Sequence, residues 1–186
     1  MTEAQVAGIT PHLPAHVERV GVFYSRDAKE IASIVRDAGL TAAQLHGGVD
    51  LDLAGRLREI LDDGFVLIQT LHWTVGADSS VALGEQLRRI RQTGATDRVL
   101  IDSRVGQAGG GTGVAFDWKA ARAAIEENGG DLKVIVAGGL RPENVGEAIR
   151  ELSPWGVDVV SGVEVSPGLK DHQKLAAFLS NARLSK

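Results

Sequence analysis

KVIVAGGLRPENVGEAIRELSPWGVDVVSGVEVSPGLK, residues 133–170, decides how this chain is built. The apolar, β-branched run KVIVA ends in Gly138-Gly139, a helical pattern follows, and a second apolar run, GVDVV, ends in Ser161-Gly162, with Gly168 soon after. These are two strand-to-helix steps with glycine at both strand ends. Glycine there lets the backbone come close to a ligand and turns N–H groups outward, an arrangement that suits an anionic phosphate beside helix N-termini. The last two strand-to-helix loops of a (βα)8 barrel form a phosphate cradle of this kind. Ordinary βα turns also use glycine, so the glycines alone leave both readings open.

Upstream, the same alternation repeats. Residues 3–10 read as a helix ended by Pro11 and Pro14, and RVGVFY (19–24) as a short strand. Asp27 caps a helix carrying Ile31, Ile34, Val35 and Ala38, closed by Gly39. TAAQLHG (41–47) is the next strand, and its period-2 alternation sends Gln44 and His46 to one face together. FVLIQTLHW (65–73) and RVLIDSR (98–104) are the third and fourth strands, and Asp117 is placed to cap the helix after the fourth. Six strands, each followed by a helix, with one helix in front, predict a parallel α/β sheet with right-handed crossovers in a single domain spanning 1–186. The length suits one domain, but it is short of the about 250 residues of a complete (βα)8 barrel.

Composition narrows the function. Twenty basic against 24 acidic residues make no basic field for nucleic acid, and no charge run or long apolar stretch points to a membrane. MTEAQVAGIT lacks the features of a leader, which makes the cytoplasm the expected location. There is no cysteine, hence no disulfide or thiolate chemistry, and the five histidines have no zinc-site spacing, so no metal is expected.

Three constellations bear on chemistry. Asp102 stands at the C-terminal end of a buried strand, where barrel active sites lie and where a carboxyl can act as a general acid; a loop-capping aspartate is the alternative. The run from Gly109 to Gly113 lacks the Lys-Ser/Thr ending of a P-loop and reads as a closing loop over the site or a plain connection. Asp158 shares a face with Val160 and Gly162, and a carboxylate turned inward there needs a partner or a substrate.

QLHG, LIDSR, GGTG with FDW, VAGGLRPENV and GVDVVSGVEVSPGLKD occur in that order. With these landmarks the chain resembles the phosphoribosylanthranilate isomerases, (βα)8 TIM-barrel enzymes of tryptophan biosynthesis, from about Arg19 onward. The resemblance implies an Amadori rearrangement of N-(5-phosphoribosyl)anthranilate to 1-(carboxyphenylamino)-1-deoxyribulose 5-phosphate without metal or organic cofactor. By motif position it makes Asp102 the general acid. Gln44 and His46 line the pocket, with Asp158 a further substrate contact. Gly138, Gly139, Ser161 and Gly162 hold the phosphate, and Gly110, Gly111, Thr112 and Gly113 belong to the mobile loop.

The family pattern also begins with a K-x-C-G strand, whose cysteine is the general base, then a helix and a second strand whose loop carries an arginine for the anthranilate carboxylate. Neither motif occurs in these 186 residues. The expectation is therefore an incomplete barrel of six βα units, without its first two strands and first helix, and with little or no activity, since a missing general base removes ~10²–10⁴-fold in rate. Open edges at 19–24 and 156–162 would then expose apolar side chains and invite self-association. A non-catalytic barrel fragment that binds a sugar phosphate or pairs its edges with a partner is the competing reading.

Overall fold

The computed structural model describes residues 2–73, 79–102 and 118–185. Six strands form one sheet in consecutive order: β1 (Val20–Phe23), β2 (Ala42–Leu45), β3 (Val66–His72), β4 (Arg98–Asp102), β5 (Lys133–Ala137) and β6 (Gly156–Val157). The pairs β1–β2, β2–β3 and β5–β6 are parallel. The helices are α1 (Glu3–Ile9), α2 (Ala28–Asp37), α3 (Leu51–Ile60), α4 (Ser79–Thr93), α5 (Trp118–Asn128), α6 (Val145–Leu152) and α7 (His172–Leu184). Among the described residues no helix is long and apolar enough to cross a membrane. By contact density the chain divides into two compact units, Met1–Leu71 with Arg89–Val99, and His72–Arg88 with Leu100–Lys186.

In the first unit the helices form where the sequence caps them. The Asp27 carboxylate accepts from the N–H groups of Lys29 (2.9 Å) and Glu30 (3.3 Å), and Asp50 accepts from that of Leu53 (2.9 Å), so each satisfies donors that a helix start leaves open. Gly39, at φ +61°, closes α2. Ile31, Ala32 and Val35 of α2 and Leu53, Ala54 and Leu57 of α3 then pack with Ala43, Leu45 and Leu67 of the strands, which makes this face of β2 and β3 the helix-covered one. At the N-terminal ends of the strands Arg58 donates to the carbonyls of Phe65 (2.8 Å) and Ala95 (3.1 Å) and to Asp97 (2.6 Å). Asp97 accepts a further bond from the N–H of Leu67 at 2.8 Å. Arg98, almost fully buried, makes a two-pronged pair with Glu18 at 2.5 and 2.7 Å.

In the second unit β5 is buried from Val134 to Ala137, and α6 buries Val145, Ala148 and Leu152. Asn181 of α7 donates to the Pro142 carbonyl at 2.8 Å, which ties the last helix to the start of α6. One expectation needs correction here. The run 156–162 is not a full strand: β6 stops at Val157, residues Ser161–Val163 make a 3-10 turn, and β7 (Glu164–Ser166) and β8 (Leu169–Lys170) form a separate antiparallel hairpin. The reason lies in the partner strand. Ile135 pairs with Gly156 and Val136 with Val157, the Asp158 N–H makes a last bond to the Val136 carbonyl (2.8 Å), and Gly138 then turns away at φ +87°. Beyond that point the ladder has no partner, so the chain turns.

β1 and β6 are the terminal strands of the described sheet. Val20 and Val22 are 40% and 55% exposed, and Val160, just past β6, is 60% exposed. On α7 Phe178 is buried while Leu179 faces solvent.

The Arg98–Glu18 pair sets a stability test. Glu18→Gln keeps the shape and removes the charge opposite a buried guanidinium. It is expected to cost about 1.5 kcal/mol or somewhat more, the lower end for a hydrogen bond to a charged group because Glu18 is partly exposed, read as a lowered urea midpoint at unchanged slope.

Candidate functional site

In the first unit, β2 places Gln44 and His46 on the face opposite to the apolar helix layer, as the alternation requires. The Gln44 amide nitrogen lies 3.3 Å from His46 Nδ1 and donates to Thr70 Oγ1 of β3 at 3.1 Å. His46 is buried, its ring meets that of Tyr24 edge-on at 5.0 Å, and its backbone N–H donates to the Phe23 carbonyl at 2.8 Å. The result is a short, ordered polar row. Sequence reasoning missed Thr70, although Ile68, Thr70 and His72 alternate along β3 as Gln44 and His46 do along β2.

In the second unit, β4 carries Asp102 to its C-terminal end, half-buried, with its carbonyl accepting from the N–H of Trp73 at 3.0 Å. A ring nitrogen of His72 and a carboxylate oxygen of Asp102 lie within 4.8 Å of each other. The sequence reading assigned His72 no role. Asp158 lies one residue past β6, and its carboxyl is pushed above the usual carboxylate range, first by burial and then by the Asp102 charge, with Lys170 acting in the opposite sense. A carboxyl raised in this way holds its proton to higher pH than an ordinary aspartate. Asp158 is nevertheless exposed by accessible surface, so solvent screening keeps the energetic effect small.

The glycine loops follow β5 and β6. Gly138 and Gly139 take consecutive left-handed conformations, φ +87° and +64°, which only glycine adopts freely. Asn144 fixes this loop: its amide donates to the Gly139 carbonyl (3.1 Å) and its Oδ1 accepts from the Arg141 N–H (2.8 Å) at the entry to α6. A Cβ on Gly162 would stand 1.9 Å from the Leu140 carbonyl oxygen, so the turn after β6 is pressed directly against the loop after β5. Ser161, exposed beside it, heads the same turn. Lys170 donates to the Val160 carbonyl (2.8 Å) and pairs with Glu164 (2.9 Å), a bond that holds the Glu164 carboxyl below its ordinary range. The structure thus brings Gly138, Gly139, Ser161 and Gly162 to adjoining loops. Gly110, Gly111, Thr112 and Gly113, with Gly109 and Asp117, lie outside the described residues.

A family model described as N-(5'phosphoribosyl)anthranilate (PRA) isomerase matches residues 3–181. The chain belongs to this isomerase family. The N-(5'-phosphoribosyl)anthranilate isomerase of Thiobacillus denitrificans is 34% identical over 186 residues, which is 100% of this chain and 82% of that protein. The solved phosphoribosyl anthranilate isomerase of Thermotoga maritima is 30% identical with a TM-score of 0.79, covering 98% of this chain and 81% of that one. A solved isomerase in complex with reduced 1-(o-carboxyphenylamino)-1-deoxyribulose 5-phosphate is 28% identical with a TM-score of 0.74, covering 98% of this chain and 80% of that one. These likenesses agree with the parallel α/β architecture and with an isomerase of tryptophan biosynthesis.

Two tests follow from the geometry of this isomerase's second unit. Gly162→Ala must displace the Leu140 carbonyl and is expected to cost about 1–3 kcal/mol, the usual range for overpacking, and to weaken inorganic phosphate binding measured by calorimetry. Asp158→Asn tests the raised carboxyl. The folded state holds the Asp158 proton to higher pH than the unfolded state does, so wild-type stability falls as pH rises from the ordinary carboxylate range through the raised value. The variant is therefore expected to gain slightly on the wild type at neutral pH, with the gain vanishing below about pH 3.9, in denaturant titrations at several pH values.

Proposed function

We propose that the chain carries out the Amadori rearrangement of N-(5-phosphoribosyl)anthranilate to 1-(carboxyphenylamino)-1-deoxyribulose 5-phosphate with the residues named from its sequence. The observation that supports the reading is the second unit, where Asp102 at the end of β4 and Asp158, whose carboxyl is raised by burial and by the Asp102 charge, accompany two adjoining glycine loops. Asp102 donates a proton to the furanose ring oxygen as the ring opens to a Schiff base. Loss of the proton from C2 of the ribose then gives the enol-amine, which tautomerises to the ketose. Gln44 and His46 line the pocket for the substrate, Asp158 contacts it, and the backbone N–H groups of Gly138, Gly139, Ser161 and Gly162 hold its phosphate. Gly110, Gly111, Thr112 and Gly113 close over it. No step requires a metal or an organic cofactor, and the expected setting is the cytoplasm.

The proton removal at C2 needs a base, and no cysteine is present to act as one. In this reading the six βα units form one domain and are those of an eight-stranded barrel whose other two strands would bring the base and the arginine. The exposed β1 and β6 edges are then surfaces for self-association. The exposed Val20 and Val22 of β1 also favour the second reading, a non-catalytic fragment that binds a sugar phosphate or pairs its edges with a partner.

Complementation of a tryptophan auxotroph that lacks this isomerase separates the two. Growth is expected when a strand-helix-strand segment bearing the cysteine and arginine is grafted to the chain, and not with the chain alone. Asp102→Asn in the grafted protein is expected to lower turnover by ~10²–10⁴-fold. Growth of the grafted Asp102→Asn strain at the parental rate would remove Asp102 from the acid role, and failure of the graft to support growth would favour the non-catalytic reading.

A further inference from the structure

Gln69 has no place in the chemistry above, yet it is fully buried. It shares its face of β3 with Leu67 and Leu71, the face that α2 and α3 cover, while Thr70 points to the other side. An amide in such an apolar layer is costly unless its hydrogen bonds are made. Its Nε2 donates to the carbonyls of Leu45 (3.1 Å), Gly48 (2.8 Å) and, more weakly, Thr70 (3.4 Å), which also settles which end of the amide is the nitrogen. Its Oε1 has no hydrogen-bond partner among the described residues. Leucine or methionine would fill the position without that cost, so the value of Gln69 lies in what its nitrogen holds.

What it holds is the segment bearing His46. The Leu45 carbonyl belongs to the peptide unit that precedes His46, and the N–H of that same unit donates to the Phe23 carbonyl at 2.8 Å. Both polar ends of that peptide are therefore fixed, one by β1 and one by the Gln69 side chain. Two residues on, Gly48 turns at φ +93°, and its carbonyl is the stronger of the Gln69 acceptors. On the opposite face Thr70 holds Gln44, which lies against His46.

We propose that Gln69 is a positioning residue: from behind the sheet it fixes the loop from β2 to α3, and through it the orientation of His46 toward substrate. The orienting of substrate rests on the functional reading above; the fixing of the loop does not.

The test compares Gln69→Met with the wild type and with Leu67→Ala, a truncation of an equally buried neighbour on the same face. Amide hydrogen exchange is read along the first unit, and calorimetry measures the affinity for reduced 1-(o-carboxyphenylamino)-1-deoxyribulose 5-phosphate. Gln69→Met is expected to speed exchange at His46, Gly47 and Gly48 at least fivefold more than in α2 and α3, and to weaken the analogue by a similar factor. Leu67→Ala is expected to speed exchange throughout the unit without that selectivity. A uniform rise or no change for Gln69→Met would overturn the proposal. Should Gln69→Met not fold, the wild type decides by NMR. Slow exchange of the Gln69 side-chain amide protons, with coupling to the Leu45 and Gly48 carbonyls, supports the clamp, and exchange as fast as that of a free glutamine sinks it. A wild type that shows the clamp but does not bind the analogue overturns the functional reading and leaves the loop role standing.

Discussion

A parallel strand can pair only as far as its neighbour stays extended, and much of the chemistry in this chain is placed by where that pairing stops. At the end of β5 the left-handed Gly138 and Gly139 turn the chain out of the ladder, and β6 loses its partner one residue past Val157. Asp158 is the residue left at that point, its N–H making the last ladder bond and its carboxyl close enough to Asp102 to feel its charge. The same departure delivers Gly162 against the Leu140 carbonyl. One local event, two glycines leaving a strand, therefore sets both a perturbed carboxyl and the meeting of two loops.

Polar residues inside strands obey a second rule. Each must find partners across the ladder, since burial removes water as an alternative. Gln44, His46 and Thr70 satisfy one another on one face of β2 and β3, and Gln69 reaches round on the other face to backbone carbonyls. Two adjacent residues of β3 thus act on β2 from opposite sides. A strand that were only structural would carry apolar residues at these positions, as β5 does from Val134 to Ala137. Function shows as a departure from the pattern, with the hydrogen bonds that make the departure affordable.

Much of this was legible in the sequence because it is local. Capping by Asp27, closure at Gly39 and the shared face of Gln44 and His46 depend on residues within a few positions of each other, which backbone geometry alone relates. The order of six strands with helices between them follows from the periodicity of the apolar residues. The extent of GVDVV as a strand was misread for a related reason. β-branched residues describe what a segment tolerates, and the supply of pairing partners, set by Gly138 on another segment, decides what it does.

By itself, then, the sequence determined the α/β alternation, the Asp27 cap, the glycine pair that ends β5 and the identity of Asp102, Gln44 and His46 as candidates, since each rests on spacing along the chain. Only the tertiary structure decided the partners. Gln44 meets Thr70 across 26 residues, Gln69 meets Leu45 across 24, and the contact of Gly162 with Leu140 appears in no local pattern. Hydrogen bonding and packing act through space at about 3–4 Å. Which distant residues come within that reach is settled by register, which the folded sheet sets and the chain does not display in any one stretch.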